Sequence, residues 1–190
     1  MAATESKKLE LGVPAHDFQL PDVVSGNEIS LATFAGKKGL LVMFICRHCP
    51  YVLHVKEELA RLGRDYSDKS LGMVAISPND PAAYPLDAPP HLREMAQELG
   101  FNFPFCFDES QETAKAYEAA CTPDFFLFDE NRKLRYHGQL DDSRPNSGRP
   151  VTGGDLRAAI DAVLGGRAVN SGQKPIVGCS IKWKPGNEPR

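Results

Sequence analysis

Long apolar runs are missing from this chain: no stretch approaches the roughly 18 consecutive apolar residues that a membrane span needs. An excess of positive charge is missing too. Lys and Arg number 22 against 25 Asp and Glu, a formal net charge of -3, so there is no basic footprint for nucleic acid. The opening MAATESKKLELG has no apolar h-region of a secretory signal, which makes a cytoplasmic location the expectation. There is no internal repeat and no low-complexity block. Cysteine is scarce and odd in number: Cys46, Cys49, Cys106, Cys121 and Cys179 are too few and too unevenly spaced for a structural disulfide framework. In a reducing compartment such cysteines are catalytic, metal-binding or simply buried.

What is present is an ordinary globular composition, 42% apolar and 25% charged over 190 residues. That length fits one domain, residues 1–190, with a real core and little room for a second. Turn residues and short apolar alternations mark residues 1–38 as an N-terminal extension carrying a β-hairpin around Ser25-Gly26-Asn27. GLLVMFI (Gly39 to Ile45) reads as a strand buried on both faces. From Pro50 to Ser67 apolar residues recur at 52, 55, 59, 62 and 66, which predicts a helix with Pro50 in its first turn. Further strands are expected at LGMVAISP, FPFCF and DFFLFD, the last turning through Asp129-Glu130-Asn131 into KLRYHGQL as a hairpin. Helices are expected at HLREMAQELG, from Ser110 (as N-cap) to Ala120, and at VTGGDLRAAIDAVLGG. NDPAAYPLDAPP is a loop by its prolines. Residues 166–190 form an extended C-terminal arm packed through Ile176, Val177, Ile181 and Trp183. The order β-α-β-α-β-α-β-β-α predicts an α/β fold with a central mixed sheet flanked by helices.

Within this frame FICRHCPYVLHV sets Cys46 and Cys49 at the join of a buried strand and a helix. That is the context in which C-x-x-C reads as a redox pair. Unpaired N–H groups and the positive end of the helix dipole stabilise a thiolate there, so Cys46 is expected to have a depressed pKa and to act as nucleophile. Cys49, one turn on, is placed to resolve a mixed disulfide, and Arg47 and His48 between them are expected to add positive charge. Three other readings use the same residues. Both cysteines could be small core residues. They could be half of a zinc or copper site with His48, His54 or Cys121, although no second C-x-x-C or H-x3-5-H supplies the other half. Or Cys49-Pro50 could be a peroxide-reducing thiol.

LGVPAHDFQLPD, GLLVMFICRHCPYV, CTPDFFLFD, GQLDDSRP and GCSIKWKPGNEP, taken together, resemble the thioredoxin superfamily over nearly the whole chain. More narrowly they are similar to the peroxiredoxin-like branch of the alkyl hydroperoxide reductase/thiol-specific antioxidant family. The resemblance implies a thioredoxin-like fold, Cys46 as the attacking cysteine and Cys49 as the resolving one. It also implies a cis bond at Thr122-Pro123, with the Thr122 backbone ready to pair with an extended substrate. Two departures separate the sequence from true peroxiredoxins. Counted from Cys49, their threonine and proline positions hold Cys46 and Val42, and no arginine matches near CTPDFF. A peroxide's leaving oxygen would lack that support.

The expected function is therefore thiol–disulfide exchange through Cys46 and Cys49, a role in cell redox homeostasis, with Arg47, His48, Pro50, Thr122 and Pro123 supporting the site. The alternatives are a thiol-dependent, antioxidant peroxidase using Cys49 or Cys46, and a copper- or zinc-binding carrier. No organic cofactor and no metal are implied by the main reading. Its partners are a protein or small-molecule disulfide and a dithiol electron donor such as a thioredoxin-like protein. Of the other cysteines, Cys106 reads as core. Cys121 is either near Cys46 or simply buried, and Cys179 is either an extra resolving thiol or a packed residue of the arm. His54 reads as a boundary residue, and Asp141, Asp142 and Arg144 as turn chemistry.

Overall fold

In the computed structural model, which describes residues 3–189, the central apolar run becomes strand β4 (Gly39–Phe44), buried at every position. A strand turns alternate side chains to opposite faces, and β4 does so between two cores. Leu41 and Met43, with Ile45 next in line, enter one core, while Leu40, Val42 and Phe44 enter the other. Parallel to β4 lie β5 (Leu71–Ser77) and, beyond it, β6 (Phe105–Phe107). On its other side β8 (Asp124–Asp129) runs antiparallel and pairs in turn with β9 (Leu134–His137). The result is a mixed five-stranded sheet in the order β6-β5-β4-β8-β9.

The first core is covered by α1 (Pro50–Asp65), α2 (Pro89–Leu99) and α4 (Gly154–Leu164), which contribute Val52, Leu59, Leu92, Met95, Leu156 and Ile160 among others. Full burial of each such Leu or Ile favours the folded chain by about 1.5–3 kcal/mol. The second core lies under the N-terminal hairpin, β2 (Gln19–Pro21) and β3 (Glu28–Ser30), and the short α3 (Glu112–Ala116). Asp22 ties this hairpin to the sheet: its carboxylate accepts the N–H of Phe105 at 3.0 Å and the hydroxyl of Ser25 at 2.6 Å.

Several boundaries differ from the sequence expectation. α2 starts at Pro89, because two prolines in a first turn leave no intrahelical bond unmade. The expected loop before it contains a 3-10 turn, Pro85–Asp87, whose importance lies in Asp87. The helix expected from Ser110 to Ala120 is only α3, with Gln111 as N-cap; the Ser110 hydroxyl instead accepts the N–H of Glu112 at 3.2 Å and donates to Asp108. The C-terminal arm is partly a strand. β10 (Val177–Ser180) lies between β1 (Ala3–Glu5) and β7 (Cys121–Thr122), antiparallel to both. The start of the chain therefore packs on the arm rather than on the hairpin. Ile176 and Ile181 are buried as expected, and Trp183 leans on the second core. Among the described residues no helix is long and apolar enough to cross a membrane.

Candidate active site

The site forms where β4 stops and α1 starts. Pro50 occupies the first turn of α1 and Cys49 is its extended N-cap, with φ -71° and ψ 124°. Facing this junction is the Thr122-Pro123 step, which is cis as expected from the resemblance. Thr122 touches both cysteines. The Cys46 sulfur lies 3.3 Å from Thr122 Oγ1, and the Cys49 thiol donates to the Thr122 carbonyl at 3.2 Å. All three residues are fully buried.

The electrostatics at Cys46 run against the depressed pKa expected of it. Cys46 is pushed well up, first by burial, then by its hydrogen bond to Cys49 and by the negative charge of Asp87. Cys49 is pulled down to about 5, because the thiols of Cys46 and Cys179 donate to its sulfur and outweigh burial. Cys49 makes no capping hydrogen bond of ordinary length, but the N–H groups of Val52 and Cys179 also favour its anion. Once ionised, Cys49 gives up its bond to the Thr122 carbonyl and becomes the acceptor of its neighbours' protons.

Arg47 and His48 are both engaged by groups other than the sulfurs. The Arg47 guanidinium points away to α2, 2.6 Å from Glu94, 3.7 Å from Glu98 and 2.5 Å from the His91 carbonyl. His48 turns to Asp87, 2.5 Å from ring Nδ1 to Oδ2, and stacks on Tyr84 with centroids 4.5 Å apart. Asp87 gathers this loop. It accepts the N–H groups of Arg47 at 2.8 Å and His48 at 3.2 Å and the Asn79 amide at 2.8 Å. These donors hold its carboxyl below the usual carboxylate range despite burial. Spacing in the sequence gave no hint of Asp87; only the fold of a proline-rich loop brings it to the pair.

Cys46, His48 and Asp87 place a sulfur, a ring nitrogen and a carboxylate oxygen within 4.8 Å of one another. Both Asp87 oxygens are already taken by the loop that positions Arg47 and His48. A cation would have to dismantle that loop, so these residues fit a metal poorly. The His48 Nε2 atom is buried with no hydrogen-bond partner.

The remaining cysteines divide. Cys106 is core, and burial pushes its thiol up to about 12. Cys121 lies behind the cis peptide, its thiol 3.5 Å from the Pro123 carbonyl, and burial raises its pKa. Cys179 sits on β10 directly opposite Thr122, where its thiol reaches Cys49. The Thr122 backbone is consequently not free for a substrate strand, because β10 already holds that edge. His54 is bound to Ser143 Oγ at 3.0 Å, away from the sulfurs, and Asp141 accepts the N–H groups of Ser143, Thr152 and Gly153 as a turn residue does.

Comparison with solved structures gives two near-complete matches. A conserved protein of Geobacillus kaustophilus, described as uncharacterized, is 53% identical over 98% of both chains with a TM-score of 0.95. A hypothetical protein of Sinorhizobium meliloti 1021 is 49% identical, over 96% of this chain and 100% of that one, with a TM-score of 0.95. A putative thiol:disulfide interchange protein DsbE from Chlorobium tepidum shares the fold at 22% identity, over 83% of this chain and 99% of that one, with a TM-score of 0.65. No curated protein matches the sequence. Residues 11–137 match the AhpC/TSA family, a stretch that contains β4, the cysteine pair, α1 and the cis peptide. A thioredoxin-like sheet, an ionisable cysteine at a helix N-terminus and that match agree on thiol-based redox chemistry, and the chain belongs to the AhpC/TSA family.

Proposed function

We propose that this protein is a thiol-dependent peroxidase in which Cys49 attacks and Cys46 resolves. The reading is supported by the place of the Cys49 sulfur at the N-terminus of α1, beside Thr122 and Cys46, where hydrogen bonds from the Cys46 and Cys179 thiols outweigh burial and lower its pKa to about 5. A thiolate is the reactive form of cysteine, and β10 on the Thr122 edge stands in the way of an extended protein substrate more than of a small hydroperoxide. The Cys49 thiolate takes the terminal oxygen of the peroxide, giving a sulfenic acid and, with one proton, an alcohol or water. The Cys46 thiol then attacks the sulfenic sulfur, forming the Cys46–Cys49 disulfide and releasing water. A dithiol donor such as a thioredoxin-like protein reduces that disulfide and leaves as a disulfide itself. The step is expected to be slower than in dedicated peroxidases, because Arg47 is committed to α2 and gives the leaving oxygen no support.

Direct exchange with a protein disulfide, led by Cys46, is the second reading, and the C-x-x-C spacing is what favours it. It asks more of the fold: Cys46 has to ionise against burial and Asp87, and β10 has to leave Thr122.

Peroxide consumption coupled to dithiothreitol separates the two. Cys49→Ser should fall to background. With Cys179→Ser also in place, Cys46→Ser should complete one turnover and leave a sulfenic acid on Cys49 that dimedone traps. Disulfide reduction by wild type with no peroxide consumed would replace this reading by the second, and a dimedone adduct on Cys46 would move the attack on peroxide from Cys49 to Cys46.

A further inference from the structure

The edge that faces the cysteine pair is occupied by the chain's own C-terminal arm, and the arm brings a thiol with it. In the antiparallel pairing of β10 with β7, Cys179 stands opposite Thr122 and Ser180 opposite Cys121. The fit is close: a Cβ placed on Gly178 would come within 2.3 Å of the Thr122 carbonyl oxygen and 2.8 Å of its carbon. Any larger residue at 178 would push the arm off the edge, so a glycine immediately before the cysteine is what lets Cys179 approach. Thr122 thus gathers the three sulfurs: its hydroxyl lies 3.3 Å from Cys46, its carbonyl takes Cys49 at 3.2 Å, and Cys179 stands opposite it on β10, within hydrogen-bonding reach of Cys49.

We propose that Cys179 is a third redox-active cysteine, which takes over the disulfide from Cys46 and so latches the C-terminal arm across the site. This takes the Cys46–Cys49 disulfide of the proposed cycle as its starting point. The Cys179 sulfur, as thiolate, attacks the Cys49 sulfur; the Cys46–Cys49 bond breaks and a Cys49–Cys179 bond forms. Cys46 leaves as a thiolate and takes up the proton that Cys179 gave up. Oxidation state is conserved, so no further oxidant or reductant enters. Exchange runs through a central sulfur flanked by attacker and leaving group, and Cys49 is that sulfur here. The transfer moves one end of the disulfide from the buried strand–helix junction to β10. There the arm pairs with two short strands, β1 and β7, outside the five-stranded sheet.

The test uses full-length protein, reduced and then oxidised with increasing diamide, blocked with an alkylating reagent, digested and mapped by mass spectrometry. Diamide makes the outcome independent of peroxide reactivity. Wild type is expected to yield both a 46–49 and a 49–179 linkage within one chain. In Cys46→Ser the 49–179 linkage should become the main intramolecular product. Gly178→Ala, which keeps all five cysteines, should lower its yield at least about 5-fold while 46–49 still forms. Absence of 49–179 from both wild type and Cys46→Ser overturns the inference, as does a yield unchanged by Gly178→Ala. Absence of 46–49 from an oxidised Cys179→Ser protein instead overturns the cycle from which the transfer starts.

Discussion

Cys49 and Cys106 are both fully buried and both belong to the same end of one sheet, Cys49 just past β4 and Cys106 within β6. Their thiols go in opposite directions, Cys49 down to about 5 and Cys106 up to about 12. Desolvation opposes ionisation at each. The difference lies in what points at the sulfur. Cys49 has two thiols and the open end of a helix, whereas Cys106 has the carboxylate of Asp22, kept ionised by Ser25 and the Phe105 N–H. Burial alone therefore does not mark a cysteine as inert, nor does a place at a sheet's end mark it as reactive; the count and sign of its neighbours decide.

The strongest way to break this comparison is to exchange the roles by mutation. Cys49→Ser should lower peroxide-dependent turnover at least about 100-fold, since a hydroxyl cannot ionise there. Cys106→Ala should leave turnover within about 2-fold and cost about 1 kcal/mol of stability in urea unfolding, the price of a small buried cavity. Comparable losses of turnover in the two variants would dissolve the distinction.

Next in size is the effect of pH. The ultraviolet absorbance of a thiolate should appear in the reduced protein with a midpoint near 5 and be missing from Cys49→Ser. The same shift acts on stability. In the unfolded chain a cysteine titrates near about 8.5, so between about 5 and 8.5 the unfolded state holds a proton that the folded state has released. Stability from Cys49 is therefore present above the unfolded value and lost as pH falls through the folded one, amounting to about 3 kcal/mol at neutral pH. Above the unfolded value Cys46 and Cys179 work the other way, because both are raised. Reduced wild type should gain stability over Cys49→Ser on going from pH 5 to pH 7.5. A constant difference in melting temperature across that range would sink the assignment of the anion to Cys49.

How much of this was legible beforehand follows the range of the interactions. The strand–helix junction, the hairpin and the mixed sheet were readable, because GLLVMFI and the spacing of Val52, Val55, Leu59 and Leu62 are local patterns. The candidate pair and the cis Thr122-Pro123 step came from a short motif and a family likeness. What escaped was set by distant chain segments. Asp87 reaches Arg47 and His48 from about forty positions away, and β10 returns to Thr122 from the far end of the chain. Sequence spacing near Cys46 carries no trace of either, so the ties of Arg47 to α2 and of His48 to Asp87, and the raised pKa of Cys46, were not anticipated.

Asp87 offers a finer perturbation of Cys46 alone. Asp87→Asn removes the negative charge that raises Cys46 but keeps an acceptor for the N–H groups of Arg47 and His48. The Cys46 thiol should then ionise at lower pH, and resolution of the Cys49 sulfenic acid should speed up by about 2- to 10-fold, visible as less dimedone adduct under limiting peroxide. Slower resolution would mean that Asp87 acts through His48 rather than through its charge.

An effect of similar size and opposite sign is expected at Thr122, whose two oxygens divide the pair between them. Its carbonyl takes the Cys49 thiol, and its hydroxyl is the neighbour that draws Cys46 back toward ionisation. Thr122→Val keeps the shape and the carbonyl and deletes the hydroxyl. Loss of one hydrogen bond of about 1 kcal/mol corresponds to about a 5-fold change. Resolution by Cys46 should slow by that much, and the thiolate absorbance of Cys49 should keep its midpoint. If the Cys49 midpoint moves instead, the hydroxyl serves the attacking thiol, and the division of labour across Thr122 has to be redrawn.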